Sequence, residues 1–204
     1  CTTAGESART HASSRAVGSV WDEIRSTADD LLNAGKRTAR DLLRPDLREP
    51  GLTAAARGVG DLAGLPVFSD QGPAPTDVAQ GALNNCFLLA SLASVAAADP
   101  SLVRSVITDL GDGTFAVRVM RGSTPRFYRV DADLPLRAGS TARLAYAQPG
   151  ADDSLWVPLI EKAFALDRGG SYRSLDRGGW MDTTYRALGL SARTLAFGNP
   201  LAAL

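Results

Sequence analysis

Histidine is almost missing from this chain: its 204 residues hold one, His11. A mechanism that pairs an imidazole with a nucleophile therefore has one internal candidate for its base, in a polar N-terminal stretch, or takes the base from elsewhere. Cysteine is nearly as scarce, with only Cys1 and Cys86. Two cysteines make no disulfide framework, and a chain this long has enough core to fold without staples. Lysine is reduced to Lys36 and Lys162, so arginine carries the positive charge, and Lys+Arg and Asp+Glu balance at 22 each. That balance leaves no global field to draw nucleic acid or an anionic membrane surface. No apolar run reaches the roughly 18–20 residues of a membrane span. The longest, residues 86–98, is broken only by serines and reads as a buried helix. Methionine is absent before Met120 and the chain opens on Cys1. We read this as a cut or processed end, a lipid-bearing Cys1 being the alternative.

The length suits one domain, or one domain with an appendage. Residues 1–15 are rich in Ser, Thr and Ala and are expected to be disordered. Apolar residues recur at helical spacing over 17–43, from Val20 and Ile24 to Leu42 and Leu43, which predicts one or two amphipathic helices. Arg44-Pro45 stops that pattern. Residues 45–76 carry five prolines and read as a loop-rich lead-in, with a short Ala-rich helix at 52–57. The expected organisation is an extension over 1–66 and a folded domain over 67–204. Within that domain a helix is predicted over 85–97 and a second over 101–110. Period-two alternation over 114–120 and 126–130 predicts a β-hairpin. Residues 131–135 continue extended, with a further short strand at 142–146. A helix over 154–166 takes Ser154 as N-cap, and a last short helix spans 182–188. Helices and an antiparallel hairpin together give an α+β fold class.

The chemistry gathers at Gln80 and Cys86. A cysteine in the first turn of a helix meets the positive end of the helix dipole, which favours the thiolate. Backbone N–H groups there point at any oxyanion formed beside the sulfur. Gln80, six residues upstream across Gly81, can fold back to supply a second donor. The plainer reading is that a lone cysteine in an Ala/Leu-rich helix is buried and inert.

These residues resemble the nucleophile segment of the calpain family of papain-like cysteine peptidases, approximately Gln-Gly-x-Leu-Gly-Asp-Cys-Trp followed by small and apolar residues. Gln80, Gly81, Leu83, Cys86, Leu88, Leu89, Ala90 and Ser91 match in register. Trp156, Leu159, Ile160, Glu161, Lys162, Ala163, Phe164 and Ala165 match a second block, and Gly170, Ser171, Tyr172, Leu175 and the pair Gly178-Gly179 a third. Val130-Asp131-Ala132-Asp133-Leu134-Pro135 resembles a fourth element. The resemblance spans residues 68–190. It implies the first, cysteine-bearing subdomain of a papain-like catalytic core: a central buried helix, a β-hairpin and flanking helices. It also implies that Cys86 is the nucleophile, Gln80 the oxyanion-hole side chain, and Gly178 and Gly179 the lining of a cleft for an extended peptide. In the family a calcium ion is held by an upstream loop, which would make Asp77 a metal ligand, with Gly72 offering its carbonyl and Ser154 standing where a glutamate is expected. Asn84-Asn85 and Phe87 replace the family's Gly-Asp and Trp around the cysteine.

The resemblance implies an endopeptidase acting on protein or peptide substrates, whose histidine and asparagine come from a second catalytic subdomain C-terminal to this sequence. The chain alone is then expected to be inactive. The alternatives are a non-catalytic peptide-binding or interaction module built on the same fold, and a protein whose N-terminal helices are its functional part, as a docking or secretion-related segment.

Overall fold

The computed structural model describes residues 47–140 and 143–193. Cys1, His11 and the helical reading of 17–43 lie outside the described residues. Alternating apolar side chains build the main sheet. Strands β2 (Ile107–Asp109), β3 (Thr114–Arg121) and β4 (Thr124–Asp131) run antiparallel in the order β2-β3-β4. Phe115 faces Val130 and Val117 faces Tyr128 across the β3–β4 ladder. A second, two-stranded antiparallel sheet joins β1 (Ala56–Asp61) to β5 (Asp133–Arg137).

Two helices form the centre. Helix α1 (Cys86–Ala98) is apolar on most of its circumference, burying Phe87, Leu88, Leu89, Leu92, Val95 and Ala96. Its exposed residues are all small: Cys86, Ala90, Ser94, Ala97 and Ala98. Its end is set by Asp99, whose carboxylate caps α2 (Pro100–Val106) by accepting from Ser101 N and Leu102 N. Helix α3 (Trp156–Asp167) buries every residue from Trp156 to Ala165. It lies against β3 and β4 on one side and touches α1 on another, so a helix buried all round is what its sequence requires. Two short helices follow, α4 (Arg173–Asp176) and α5 (Met181–Ala187), and α5 packs on α1.

Several local expectations give way to tertiary contacts. Residues 52–57 form no helix. Ala54-Ala55 is a turn, and the chain enters β1, where Gly58 takes a φ of 123° that helices do not use. The helix expected over 101–110 stops at Val106, because Ile107 and Thr108 pair with Val117 and Ala116 of β3. These β-branched residues lose side-chain freedom in a helix and fit a sheet. Ser154 is not the N-cap of α3. It is extended, and the first helical N–H groups are satisfied by backbone instead: Leu155 N donates to the Pro66 carbonyl and Trp156 N to that of Val67, both at 2.9 Å. The strand expected at 142–146 is reduced to one bridge, Leu136 to Leu144.

The segment before residue 67 is tied to the domain. Glu49 reaches Lys162 at 2.8 Å, Thr53 N donates to the Tyr146 hydroxyl at 2.8 Å, and β1 pairs with β5. Lys162, fully buried, also meets Asp131 at 2.6 Å and the Asp133 carbonyl at 2.8 Å. A helix charge without water is thus met by two carboxylates and a carbonyl, as burial of an ammonium demands.

Candidate active site

Cys86 is the first residue of α1, and its thiol is free and exposed. The helix begins there because the Asn85 carbonyl accepts from Leu88 N at 2.9 Å and Leu89 N at 3.2 Å. The N–H groups of Cys86 and Phe87, which precede these bonds, have no acceptor within the helix. They make the local surface beside the sulfur a donor for a developing negative oxygen.

Gln80 is exposed and folds back along its own loop. Its Nε2 donates to the Leu83 carbonyl at 2.6 Å. An amide nitrogen carries two hydrogens, so this bond orients the group and leaves the second N–H for another acceptor. The loop between Gln80 and Cys86 is pinned from three sides. Ala82 N donates to the Ala145 carbonyl at 2.9 Å, Asn84 N to Asp176 Oδ1 at 2.9 Å, and Asn85 Nδ2 to Glu161 Oε1 at 2.6 Å. At Gly81 a side chain is impossible: a Cβ would sit 1.9 Å from the Tyr146 carbonyl oxygen.

The glycine pair lies beside Phe87, the residue after Cys86. A Cβ on Gly179 would come within 2.9 Å of the Phe87 ring, and Gly178 takes a φ of 75°. Arg168 joins the two parts, stacking its guanidinium 4.8 Å from the Phe87 ring centre and donating to the Gly178 carbonyl at 3.3 Å. Trp180 follows the pair and is 73% exposed.

Asp77 is buried in a 3-10 turn, Pro75–Asp77. Its Oδ1 accepts from Ala151 N at 2.9 Å, and its Oδ2 accepts from Ala74 N at 2.9 Å and Trp156 Nε1 at 2.8 Å. The carboxylate thereby fastens the loop upstream of Gln80 to the start of α3. The Gly72 carbonyl accepts from Ser69 Oγ at 3.0 Å, while Asp152 and Asp153 are exposed. Among the described residues no group of three or more His, Cys, Asp or Glu side chains is gathered as a metal site.

Sequence reasoning missed Glu161 and Asn85 as a functional pair. Glu161 is 2% exposed and Asn85 fully buried. Glu161 Oε2 also accepts from Ala147 N at 3.1 Å, and Gln148 N donates to the Ala79 carbonyl at 3.0 Å. One carboxyl group therefore braces both the residue before Cys86 and the irregular segment around Ala147 that pairs with the Gln80 loop. Burial pushes its pKa up to about 7 from an ordinary 4.5, against the lowering effect of the Ala147 and Asn85 donors. Asn85 Oδ1 has no partner. Turning this amide over sets Oδ1 opposite a protonated Glu161, so the pair accommodates the proton that burial favours. The signal in the sequence was two adjacent charges, Glu161-Lys162, inside an otherwise apolar helix.

Residues 57–198 match the family model described as calpain family cysteine protease. Human calpain-12 is 33% identical over 126 residues, which is 59% of this chain and 17% of calpain-12. The calpain-1 catalytic subunit of Macaca fascicularis is 32% identical over 123 residues, 58% of this chain and 17% of that subunit. Mouse calpain-9 is 32% identical over 124 residues, with the same shares. The chain thus spans less than a fifth of each relative's length. The matched stretch contains Gln80, Cys86, Glu161 and the Gly178-Gly179 pair, and the chain belongs to the calpain family of cysteine proteases.

Proposed function

We propose that this chain is the cysteine-bearing half of an endopeptidase that cleaves proteins through an acyl-enzyme. The observation that carries the reading is an exposed Cys86 thiol at the head of a 13-residue, largely buried helix, six residues after a Gln80 whose amide is oriented by the Leu83 carbonyl. The Cys86 sulfur attacks the scissile carbonyl carbon and forms a C–S bond. The developing oxyanion is held by the free N–H of Gln80 and by backbone N–H groups of the first turn of α1. Collapse of the tetrahedral species breaks the C–N bond, and the amine leaves with a proton. Water then hydrolyses the thioester and frees Cys86. Gly178 and Gly179 offer a close, side-chain-free edge along which an extended peptide lies.

The proton donor and base of these steps is a histidine outside the 204 residues, carried by a second subdomain that completes the cleft. Calcium has no part in this reading. It takes six to eight oxygens, whereas the Asp77 carboxylate is occupied by three N–H donors and the Gly72 carbonyl by Ser69. The residues present do not fit the ion, and Asp77 acts as a latch between the Gln80 loop and α3.

The test is peptide hydrolysis by a polypeptide extended through the second subdomain. Cys86→Ala is expected to abolish it, and Gln80→Ala to lower kcat by about 10²–10³ with unchanged thermal unfolding. The 204-residue chain alone is expected to show no Cys86-dependent hydrolysis. Hydrolysis that survives Cys86→Ala in the extended protein refutes the proposal.

A further inference from the structure

Next to Gln80 lies a pocket of about 340 Å³, lined by Gln80, Gly81, Arg137, Arg143, Ala145 and Gln148 among others. Its floor is fixed by backbone. Ala82 N donates to the Ala145 carbonyl, Gln148 N to the Ala79 carbonyl, and Gln148 Nε2 to the carbonyls of Leu144 at 2.9 Å and Tyr146 at 2.6 Å. Its charge is of one sign, since no Asp or Glu is among the lining residues.

The two arginines are held together against their own repulsion. Arg137 N donates to the Arg143 carbonyl at 2.9 Å, and Leu136 bridges Leu144 antiparallel. Arg137 and Arg143 are therefore directly opposite each other on one face, the arrangement in which like charges destabilise a strand pair. Neither guanidinium has a hydrogen bond or ion pair with a described residue. Residues 138–142, which connect the two, contain no acid. A local rule broken without an internal counter-charge marks a place for an external one.

We propose that this pocket is a carboxylate-recognition subsite, which receives an acidic side chain of the substrate segment lying beside the scissile bond. The inference rests on the peptidase reading, because Gln80 is shared: it is the oxyanion donor of that reading and it also lines the pocket. The volume is at the small end of ligand pockets, so it takes one side chain and no cofactor. Guanidinium groups bind carboxylates through paired N–H donors, and Gln80 and Gln148 add neutral polar edges.

The experiment uses the 204-residue chain carrying Cys86→Ala and labelled with 15N. It is titrated with two blocked peptide pools, identical except for Glu or Gln fixed at each position in turn. The Glu pool is expected to shift the Gln80 and Gln148 side-chain amides, and to bind about tenfold more tightly than the Gln pool. That preference disappears in Arg137→Ala/Arg143→Ala, whose positions are exposed and leave the fold intact. Equal binding of the two pools, or a preference that survives the double substitution, overturns the subsite. The same pools are offered as substrates to the extended protein. Cleavage without Glu preference sinks the subsite and leaves the peptidase reading standing. Glu-selective binding without Cys86-dependent cleavage keeps the subsite and sinks the peptidase reading. Inorganic phosphate, added as competitor, separates a carboxylate site from a general anion site: displacement of the Glu pool by phosphate at equal concentration overturns the assignment to carboxylate.

Discussion

Replacing Glu161 with glutamine isolates the cost of a buried carboxylate that no cation neutralises. Its direct partners are the Asn85 amide and the Ala147 N–H, both uncharged. The one lysine nearby on α3, Lys162, is engaged by Asp131 and Glu49, and Tyr172 is itself pushed up by burial and by the Glu161 charge. The folded carboxyl titrates at about 7 against an ordinary 4.5, so the folded state binds the proton more tightly than the unfolded chain. The contribution of Glu161 to stability is therefore fully present below pH 4.5 and is lost as pH rises through 7. The gap of about 2.5 units, at ~1.4 kcal/mol each, amounts to roughly 3 kcal/mol. Glutamine keeps the shape, the acceptor for Ala147 N and a donor for a turned Asn85 amide, but does not titrate. Urea unfolding of both proteins at pH 5, 6, 7 and 8 reads the difference directly. Glu161→Gln is expected to gain on the wild type by about 2–3 kcal/mol between pH 5 and 8, most of the full gap, with equal m-values. Curves that stay parallel across this window refute the argument.

Gly81→Ala is expected to destabilise by about 2–3 kcal/mol, because the new Cβ meets a backbone oxygen that cannot swing aside. Urea unfolding checks it, and a loss below ~0.5 kcal/mol, the size of an ordinary surface substitution, counts against the placement of the Gln80 loop. Lys162→Met leaves Asp131 and Glu49 without their cation and is expected to cost about 3 kcal/mol. The double substitution Lys162→Met/Asp131→Asn recovers part of that loss if the pairing is as described, and none if Lys162 acts only through packing.

The elements that repeat a local pattern were legible in the sequence. The helix predicted over 85–97 came from an apolar run broken only by serines, and the hairpin from alternation around Gly122. The Gln80–Cys86 motif lies within one loop and one turn of helix, so residue identity and spacing sufficed to find it. The resemblance then supplied the Gly178-Gly179 pair, which the structure packs against Phe87. Where a residue's neighbours are far away in sequence, local pattern failed. The Ala-rich run at 54–56 carries helix propensity, yet Ala56 pairs with Arg137 of a strand far downstream. Ser154 has the chemistry of a cap, yet backbone carbonyls of residues 66 and 67 reach the helix first.

The sequence by itself determined the family and singled out Gln80 and Cys86 as the candidate site, because these depend on which residues stand a few positions apart. Only the tertiary structure decided what holds them in place. Asn85 meets Glu161 across 76 residues, and Asp77 meets Trp156 across 79. Arg137 and Arg143 become a pair only when the chain turns back on itself. A buried carboxylate is stable or costly according to the donors and water around it, and those surroundings exist only once the chain has folded.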